Sequence, residues 1–207
     1  MHRQITSKKI IRSGLLAAMV FSAGCMTFRE SNTTRTPEEQ ILLSKAVDYS
    51  LTEAVSAGLL GKRTFVDATN IDCTDKAYVT DAVKQGLASK GARIVDKAGD
   101  AEAVVTVRVG MLATQSGTEL IGLPTFKLPA ILTSGTLETP EIALFKRATQ
   151  EGLAKVCLTA YDCKTRELLE TREGTARTRF DRWNILFVVN FNRTNVPELL
   201  IPLSQKK

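Results

Sequence analysis

Cys25 is the residue whose surroundings in the sequence most clearly indicate chemistry. It follows the small residues Ser22-Ala23-Gly24, and these follow the apolar run from Leu15 to Phe21. The first 24 residues also carry four basic side chains and no acidic one. A basic start, a short apolar segment and a small-residue end are typical of a cleaved export signal, and this apolar segment is too short to span a bilayer as a stable helix. The thiol of Cys25 would then stand at the cleavage site.

The segment that ends at Cys25 resembles the lipobox of bacterial lipoproteins, in which the Cys receives a diacylglycerol before cleavage and is acylated again on its new amino group. The departure is Ser22, since Leu is usual three residues before that Cys. Small residues at positions 22 and 24 also suit ordinary signal peptidase, so a soluble periplasmic product stays open. Two or three acyl chains would anchor the protein stably. Met26 follows the Cys, where an inner-membrane retention signal has Asp, and we therefore expect the outer membrane.

Histidine chemistry is excluded from the mature chain. The only histidine is His2, which lies in the segment that we expect to be removed. Histidine is the usual general base, the usual partner of a Ser or Cys nucleophile and the commonest metal ligand. Ser-His-Asp, Cys-His and His-metal chemistry are therefore excluded. Carboxylate pairs and Ser-Lys dyads survive this exclusion, but no arrangement singles either out, and we predict no catalytic residue, no metal site and no cofactor. The acids that could still form a carboxylate pair have the positions of turn, cap and surface residues: Asp72, Asp75, Asp81, Asp100 and Glu102.

The charge of the chain depends on the same segment. Its removal lowers the formal net charge from +6 to +2, because 24 basic residues then face 22 acidic ones. A nucleic-acid-binding protein would need a concentrated basic face on the mature domain. We therefore expect no nucleic-acid partner.

Three further cysteines, Cys73, Cys157 and Cys163, form an odd set without the CxxC spacing of zinc or redox sites. An oxidising periplasm would allow one disulfide. Cys157 and Cys163 fall on the same side of one predicted strand, roughly 20 Å apart and too far to bridge. Cys73 with Cys163 is the better pair if a bridge exists, and three small, partly buried residues are an equally good interpretation.

The mature chain is predicted to begin with a tether and a helix. Residues 26–36 are polar and suit a tether. Thr36, Pro37 and Glu39 then form the pattern of a capping box, with Thr36 as N-cap. Apolar residues recur at helical spacing from there, and the predicted helix ends at Gly58.

A second helix and three strands follow in the sequence. The helix has an apolar face from Tyr78 to Leu87 and ends at Gly91. The strands are predicted at residues 64–68, at 92–96, and along an alternating run that includes 105–111.

Residues 115–150 interrupt this regularity with interleaved glycines, prolines and apolar residues, and we predict a long apolar loop. Such a loop is uncommon in a compact domain and is usually functional or mobile. Two interpretations stay open. The loop forms a surface that faces a partner or the membrane, or it is a connection whose apolar residues cap the core.

The last third of the chain is predicted to contain a hairpin, with strands at 153–162 and 167–180 joined by a turn at 163–165. The second strand alternates as expected for a sheet with one wet face. Three arginines at and just beyond the end of this strand could form a basic patch for lipid headgroups or an acidic polymer, although a solvated strand face is favoured: Arg177, Arg179 and Arg182.

The apolar and aromatic segment 183–191 is too short to span a bilayer as a helix, so we predict a core strand or a docking edge. Together with the apolar part of 115–150 it supplies our candidate partner surface. The residues of that surface are Leu120, Leu123, Phe126, Trp183 and Phe187.

Several short motifs resemble an uncharacterised family of bacterial lipoproteins, a domain of unknown function, over most of residues 32–200. The motifs are Asn32-Thr33-Thr34-Arg35-Thr36, Glu39-Gln40-Ile41-Leu42-Leu43-Ser44, Gly61-Lys62-Arg63-Thr64-Phe65-Val66-Asp67, Gly91-Ala92-Arg93-Ile94-Val95-Asp96, Ile121-Gly122-Leu123-Pro124 and Thr139-Pro140-Glu141. The element order is also similar to the α/β domain of the curli secretion lipoprotein CsgG, the penicillin-binding-protein activator LpoB and the amino-terminal domain of TolB. This resemblance implies an envelope role through protein contacts, without catalysis.

We therefore predict an α/β (α+β) fold with a single mixed sheet of about five strands, packed by two or three helices. Residues 1–24 are the expected signal peptide, 25–36 the lipidated Cys and tether, and 37–207 a single periplasmic domain. The expected function is that of a non-enzymatic outer-membrane lipoprotein that binds the membrane through its lipid and an envelope protein, or itself, through its periplasmic domain. The alternative is a component of an oligomeric CsgG-like export channel. Such a channel needs long alternating strands, and only 115–135 and 183–191 are candidates for them.

Overall fold

The protein is described by a computed structural model at residues 25–30, 35–129, 136–186 and 188–200, with the backbone alone at 25–30, 128–129 and 136–138. The described chain is a mixed α+β protein in which two helices pack on one mixed sheet, as the sequence predicts. The helices are α1 (Pro37–Ala54) and α2 (Lys76–Ser89). The strands are β1 (Cys25–Glu30), β2 (Arg63–Asp67), β3 (Arg93–Ile94), β4 (Ala103–Leu123), β5 (Lys127–Pro129), β6 (Thr136–Glu138), β7 (Ile142–Asp162), β8 (Leu168–Ile185) and β9 (Val189–Thr194).

The sheet has the strand order β3-β2-β4-β7-β8-β9, and β1 also pairs with β4. Strand β2 is parallel to β3 and β4, with Thr64 opposite both Ile94 and Ala103. Strands β4 and β7 run in opposite directions, because Gly110 approaches Lys155 whereas Gly122 approaches Ile142. Strands β5 and β6 form a separate antiparallel pair.

The described chain divides into two compact units. Unit 1 contains residues 25–29, 116–129, 136–149, 181–186 and 188–193. Unit 2 contains residues 30, 35–115, 150–180 and 194–200. Strands β4, β7 and β8 each contribute residues to both units.

Helix α1 begins with the predicted capping box. The Glu39 amide donates to Thr36 Oγ1 at 3.3 Å, and the Thr36 amide donates to Glu39 Oε2 at 2.8 Å. Two amides that have no partner within the helix are thereby satisfied. The helix ends at Ala54, a little before the predicted end at Gly58.

Helix α1 packs on the sheet at two glycines, one on β7 and one on β8. A Cβ atom at Gly152 would lie 2.6 Å from the carbonyl oxygen of Leu42, and one at Gly174 would overlap the carbonyl oxygen of Ser50. Thr178 Oγ1 donates to the Leu42 carbonyl at 2.6 Å. Glycine allows this close approach because it has no side chain at the point of contact.

The hydrophobic core of the described residues lies in unit 2, where α1 and α2 cover the sheet. Val79, Val83 and Leu87 form the buried face of α2. Neither described helix has the length and continuous apolar character needed to cross a membrane. The largest fully buried apolar side chains are Leu42, Val47, Val79, Val83, Val105, Val107, Val156 and Val196.

The prediction of a long loop over 115–150 is wrong. Strand β4 continues to Leu123, and β7 already begins at Ile142. Apolar and polar residues occur on both sides of these strand ends, so their sequence lacks the contrast between two faces that marks a strand with one buried side. The glycines and prolines concentrate between the strands, where the short β5–β6 pair lies.

Residues 25–36 also differ from the predicted tether, because residues 25–30 form β1 and pair with β4. The short alternation Met26-Thr27-Phe28-Arg29 in the sequence is compatible with a strand, and β4 supplies the partner that a tether prediction does not foresee.

Candidate functional site

A cluster of charged and aromatic side chains lies on the sheet of unit 1, with Arg147 of β7 at its centre. The guanidinium contacts both carboxylate oxygens of Asp181 at 3.3 Å, and its Nη1 lies 3.6 Å from Glu119 Oε2. Thr149 Oγ1 donates to Asp181 Oδ1 at 2.6 Å. Contacts between residues of β4, β7 and β8 therefore tie these three strands together in unit 1.

Aromatic rings extend the cluster through Trp183 of β8. The Phe145 ring meets Trp183 edge to face at a centroid distance of 5.6 Å, and Phe191 of β9 stacks on it at 5.4 Å. The Arg147 Cζ atom lies 4.7 Å from the Trp183 ring centre, within the range of a cation–π interaction. The indole N–H of Trp183 is buried without an acceptor among the described residues. We refer to these seven residues as the Trp183 cluster: Glu119, Phe145, Arg147, Thr149, Asp181, Trp183 and Phe191.

The strand period explains why the cluster forms on one face. Side chains two residues apart in a strand point to the same side, so Phe145, Arg147 and Thr149 share a face of β7. Asp181 and Trp183 do the same on β8. The antiparallel order then places the two sets opposite each other.

The electrostatics of the cluster favour a structural role. Asp181 is only 4% exposed, and its hydrogen bonds with Arg147 raise the pKa of the guanidinium. A guanidinium in this setting stays protonated and therefore cannot act as a base. The one cation of the cluster pairs with both of its carboxylates, and these contacts can hold strands together.

Unit 1 exposes most of its apolar side chains. Its described residues include two that are buried, Ala143 and Asp181. Nine large apolar side chains of unit 1 are exposed, and the described hydrophobic clusters lie entirely in unit 2. The exposed residues are Ile121, Leu123, Phe126, Ile142, Leu144, Leu186, Val188, Val189 and Phe191.

Four of the five candidate partner residues lie in the described part of unit 1, and they do not form one patch. Leu123 and Phe126 are 47% and 52% exposed. Leu120 is half-buried and, next to Glu119 in a strand, faces away from the Trp183 cluster. Trp183 is half-buried inside that cluster, and Phe187 lies outside the described residues. Phe145 and Arg147 were not among the predicted residues, although their alternation on β7 was the available signal.

Cys25, the predicted lipidation residue, is the first residue of β1. Its side chain and the predicted signal peptide at residues 1–24 lie outside what the structure describes. Lipidation of Cys25 therefore stays a prediction.

Unit 2 carries a groove of about 920 Å³ along α1 and α2, which is within the size range of small-molecule sites. Ile41, Val47 and Leu112 contribute apolar surface to it, and the ion pair of Arg35 with Asp75 lies at its side. The Tyr78 hydroxyl donates to Asp48 Oδ1 at 2.9 Å.

Burial and this hydrogen bond raise the pKa of Tyr78 to about 12. The phenol is therefore neutral at physiological pH and unsuited to act as a nucleophile or a base. Tyr78 thus contributes a hydrogen bond to the groove and does not act as a base there.

Metal-ligand geometry is absent from the described part of the chain, where no three His, Cys, Asp or Glu side chains come together. The cysteines Cys73, Cys157 and Cys163 are free thiols, so the pairing considered for Cys73 and Cys163 is not present. Cys157 is buried and Cys163 Sγ lies 3.6 Å from the Ala98 carbonyl oxygen.

The three arginines considered as a basic patch are separated. Arg177 and Arg179 both approach Glu151, with Nε–Oε distances of 3.9 and 3.7 Å. Arg182 belongs to unit 1. It lies three residues beyond Arg179 in the same strand, so its side chain is on the opposite face. Arg177 and Arg179 form an exposed ion pair network on the wet face of β8.

The fold and these surfaces define a mixed α+β protein with one helix-covered unit and one uncovered sheet unit. The chain belongs to a family of unknown function (DUF6655), which matches residues 20–190. No curated protein and no solved structure matches the chain.

Proposed function

We propose that this protein is a non-enzymatic envelope lipoprotein that is anchored in the outer membrane through Cys25 and acts through protein contacts made by unit 1. The signal-peptide pattern and the lipobox-like segment before Cys25 support this localisation. The resemblance in element order to CsgG, LpoB and TolB supports an envelope role.

The observation that carries the proposed mode of action is the lack of cover on unit 1. Strands normally bury at least one face against a second layer, and a large exposed apolar surface usually marks an interaction site. In unit 1 only two described residues are fully buried, although the same strands β7 and β8 contribute to the hydrophobic clusters of unit 2. A partner that covers the sheet would supply the missing layer.

A binding role also agrees with the charged groups. The ionisable members of the Trp183 cluster pair with one another, and Tyr78 of the groove stays protonated. The Arg147 guanidinium and the Tyr78 phenol therefore do not serve as bases near neutral pH.

Photocrosslinking in cells tests this proposal. A photoreactive residue is placed at Leu120 or Phe191 of unit 1 and, as matched controls, at Leu168 or Leu169 of β8 in unit 2. We expect discrete adducts with another envelope protein from unit 1 and none from unit 2. Adducts from both pairs of positions alike, or from neither, would contradict the proposal.

The lipid anchor has its own test. The intact mass and membrane fraction of the full-length chain are compared with those of Cys25→Ala. We expect a start at Cys25 with added acyl mass, lost in the variant. A soluble product without added mass would show that ordinary signal peptidase cuts here.

The alternative function, a component of an oligomeric CsgG-like export channel, is favoured by one observation. Strands β4 and β7 are 21 residues long and β8 is 18, much longer than the sequence indicates. Light scattering in mild detergent separates the two functions, because a defined ring-sized oligomer would favour the channel and a monomer would argue against it.

A further inference from the structure

One end of the unit 1 sheet is apolar on several neighbouring strands. Strand β4 ends there, β7 begins there, and the turn between β8 and β9 lies beside them, since the Leu186 amide donates to the Leu144 carbonyl at 2.9 Å. Gly122 of β4 lies against Ile142 of β7. We call this region the apolar end; its exposed side chains are Ile121, Leu123, Phe126, Ile142, Leu144, Leu186, Val188 and Val189.

The apolar end is exposed on both faces of the sheet. Ile121 has the strand parity of Glu119 and therefore lies on the face of the Trp183 cluster. Ile142 and Leu144 have the parity opposite to Phe145 and lie on the other face. A protein surface packed on a sheet covers one face, whereas lipid can surround the end of a sheet on both.

Polarity also changes in order along the strands. Moving inward from the apolar end, the rings of Phe145, Trp183 and Phe191 come next, and the charged row Glu119–Arg147–Asp181 lies beyond them. An apolar zone followed by aromatic rings and then charges is the order found across a membrane–water interface.

The ionisable groups near the apolar end are compatible with such an interface. Lys127 is exposed, and Lys146 forms an exposed ion pair with Glu141 at 2.7 Å. Long basic side chains can keep their charge at headgroup level while their stems lie against apolar surface.

The start of the mature chain lies at the same end. Strands β1, β7 and β9 each begin in unit 1 and finish in unit 2, whereas β4 and β8 do the reverse. The Cys25 backbone therefore begins its strand at the end where Ile142 and Val189 begin theirs. Acyl chains on Cys25 would enter lipid beside the apolar end.

We propose that the apolar end of unit 1 inserts shallowly into a phospholipid surface, so that the protein holds the membrane through its own side chains as well as through any acyl chain. This inference takes from the proposed function only the location of the protein at a membrane. It assigns eight of the nine exposed large apolar side chains of unit 1 to lipid, and it leaves to a protein partner the remaining sheet surface, which includes Leu120 and Phe191.

The test uses the chain from residue 25 onward carrying Cys25→Ser and exported behind a cleavable signal, so that no acyl chain is present. The protein is mixed with vesicles of phosphatidylethanolamine and phosphatidylglycerol and floated on a density gradient. Trp183 is the only tryptophan of the chain and lies next to the proposed contact, so its quenching by brominated lipid reports insertion. We expect the protein to float with the vesicles and its fluorescence to be quenched.

Two substitutions at the apolar end, Leu123→Glu and Val188→Glu, should each lower the vesicle partition coefficient about tenfold, because each removes an apolar side chain from lipid and adds a charge. The matched changes Leu60→Glu and Leu168→Glu alter side chains of unit 2 that are 70% and 59% exposed, and they should leave partitioning unchanged. Circular dichroism checks that all four variants fold.

Three results would overturn the proposal. They are the absence of flotation by the unacylated chain, an equal loss of flotation in the unit 2 variants, and a dimer in light scattering that the unit 1 substitutions abolish. The last result would assign the apolar end to a second copy of the chain. Acylation of Cys25 is measured separately by mass, so failure here and failure of the proposed anchor are distinguishable.

Discussion

Strand β7 passes through two environments, and the contrast between them summarises the molecule. Its residues 150–162 belong to unit 2 and include the buried side chains Ala154, Val156, Leu158 and Ala160. Its residues 142–149 belong to unit 1, where Ala143 is the one buried residue of that stretch. The two stretches are continuous strand with the same type of backbone pairing.

Backbone pairing and burial are therefore separate properties of a strand. In unit 2 the helices supply a second layer, and the free energy of folding comes from apolar burial. In unit 1 the strands are held by backbone hydrogen bonds and by the Trp183 cluster. A small sheet without a packed face is marginal in water. We therefore expect the described strands of unit 1 to gain more stability from a bound partner than those of unit 2.

The largest effect is expected where α1 touches the sheet of unit 2. Gly174→Ala would place a Cβ atom against the Ser50 carbonyl oxygen and should lower the free energy of unfolding by about 4 kcal/mol or more, since two backbone segments must separate. Gly99→Ala is the matched control, because nothing lies within 4 Å of its Cβ position. Urea unfolding measures both, and equal stability of the two variants would disprove the close packing.

A leucine comparison sharpens the contrast between the units. Leu42 is 0% exposed in unit 2, and Leu42→Ala should cost about 3 kcal/mol through lost burial and a cavity. Leu144 is 46% exposed in unit 1, and Leu144→Ala should change the free energy of unfolding by less than about 0.5 kcal/mol. Similar losses from both substitutions would mean that unit 1 has a core of its own in solution.

The sequence predicts the elements of unit 2 well because their signals are local. The capping box of Thr36 and Glu39 lies within four residues, and both helices have one buried and one exposed face. The predicted strands at 64–68 and 153–162 overlap β2 and β7 for a similar reason, since one side of each is buried.

Unit 1 was harder to predict because its strands lack a buried side and its contacts are distant in sequence. Arg147 and Asp181 are 34 residues apart, so no local pattern joins them. The sequence did single out Trp183 and the apolar segments on both sides of it. It could not show that Leu120 and Trp183 lie on opposite faces, because that depends on where β4 and β8 pair with β7.

The third effect concerns the Trp183 cluster itself. Asp181→Asn keeps the shape of the side chain but removes the main charge partner of Arg147, and it should destabilise unit 1 by about 2 kcal/mol. Trp183 fluorescence should then change at a lower urea concentration than the circular dichroism of the helices. Glu173→Gln is the control, because its ion pair with Lys155 is well exposed. An unchanged fluorescence transition in Asp181→Asn would show that the cluster does not hold unit 1.

The smallest effect is a pH dependence in unit 2. Hydrogen bonds from Ser56 and then from Arg172 lower the pKa of Glu170 below its usual 4.5. The ionised carboxylate therefore stabilises the fold above pH 4.5, and this contribution disappears as the pH falls through the lower pKa of the folded state. Glu170→Gln should lower the free energy of unfolding by less than about 1 kcal/mol near neutral pH. The difference between the variant and the original protein should disappear in acid. A difference in the free energy of unfolding that grows in acid would show that the ionised Glu170 carboxylate does not stabilise the fold.

Hydrogen exchange along β7 is the sharpest check on our proposal that a partner or lipid covers the described sheet of unit 1. In the unacylated chain alone, amides of 142–149 should exchange about a hundredfold faster than those of 150–160, because local opening of an uncovered sheet costs little free energy. In envelope membranes the amides of 142–149 should become protected. Equal protection of both stretches in the isolated chain would contradict the account, since unit 1 would then be stable without any partner.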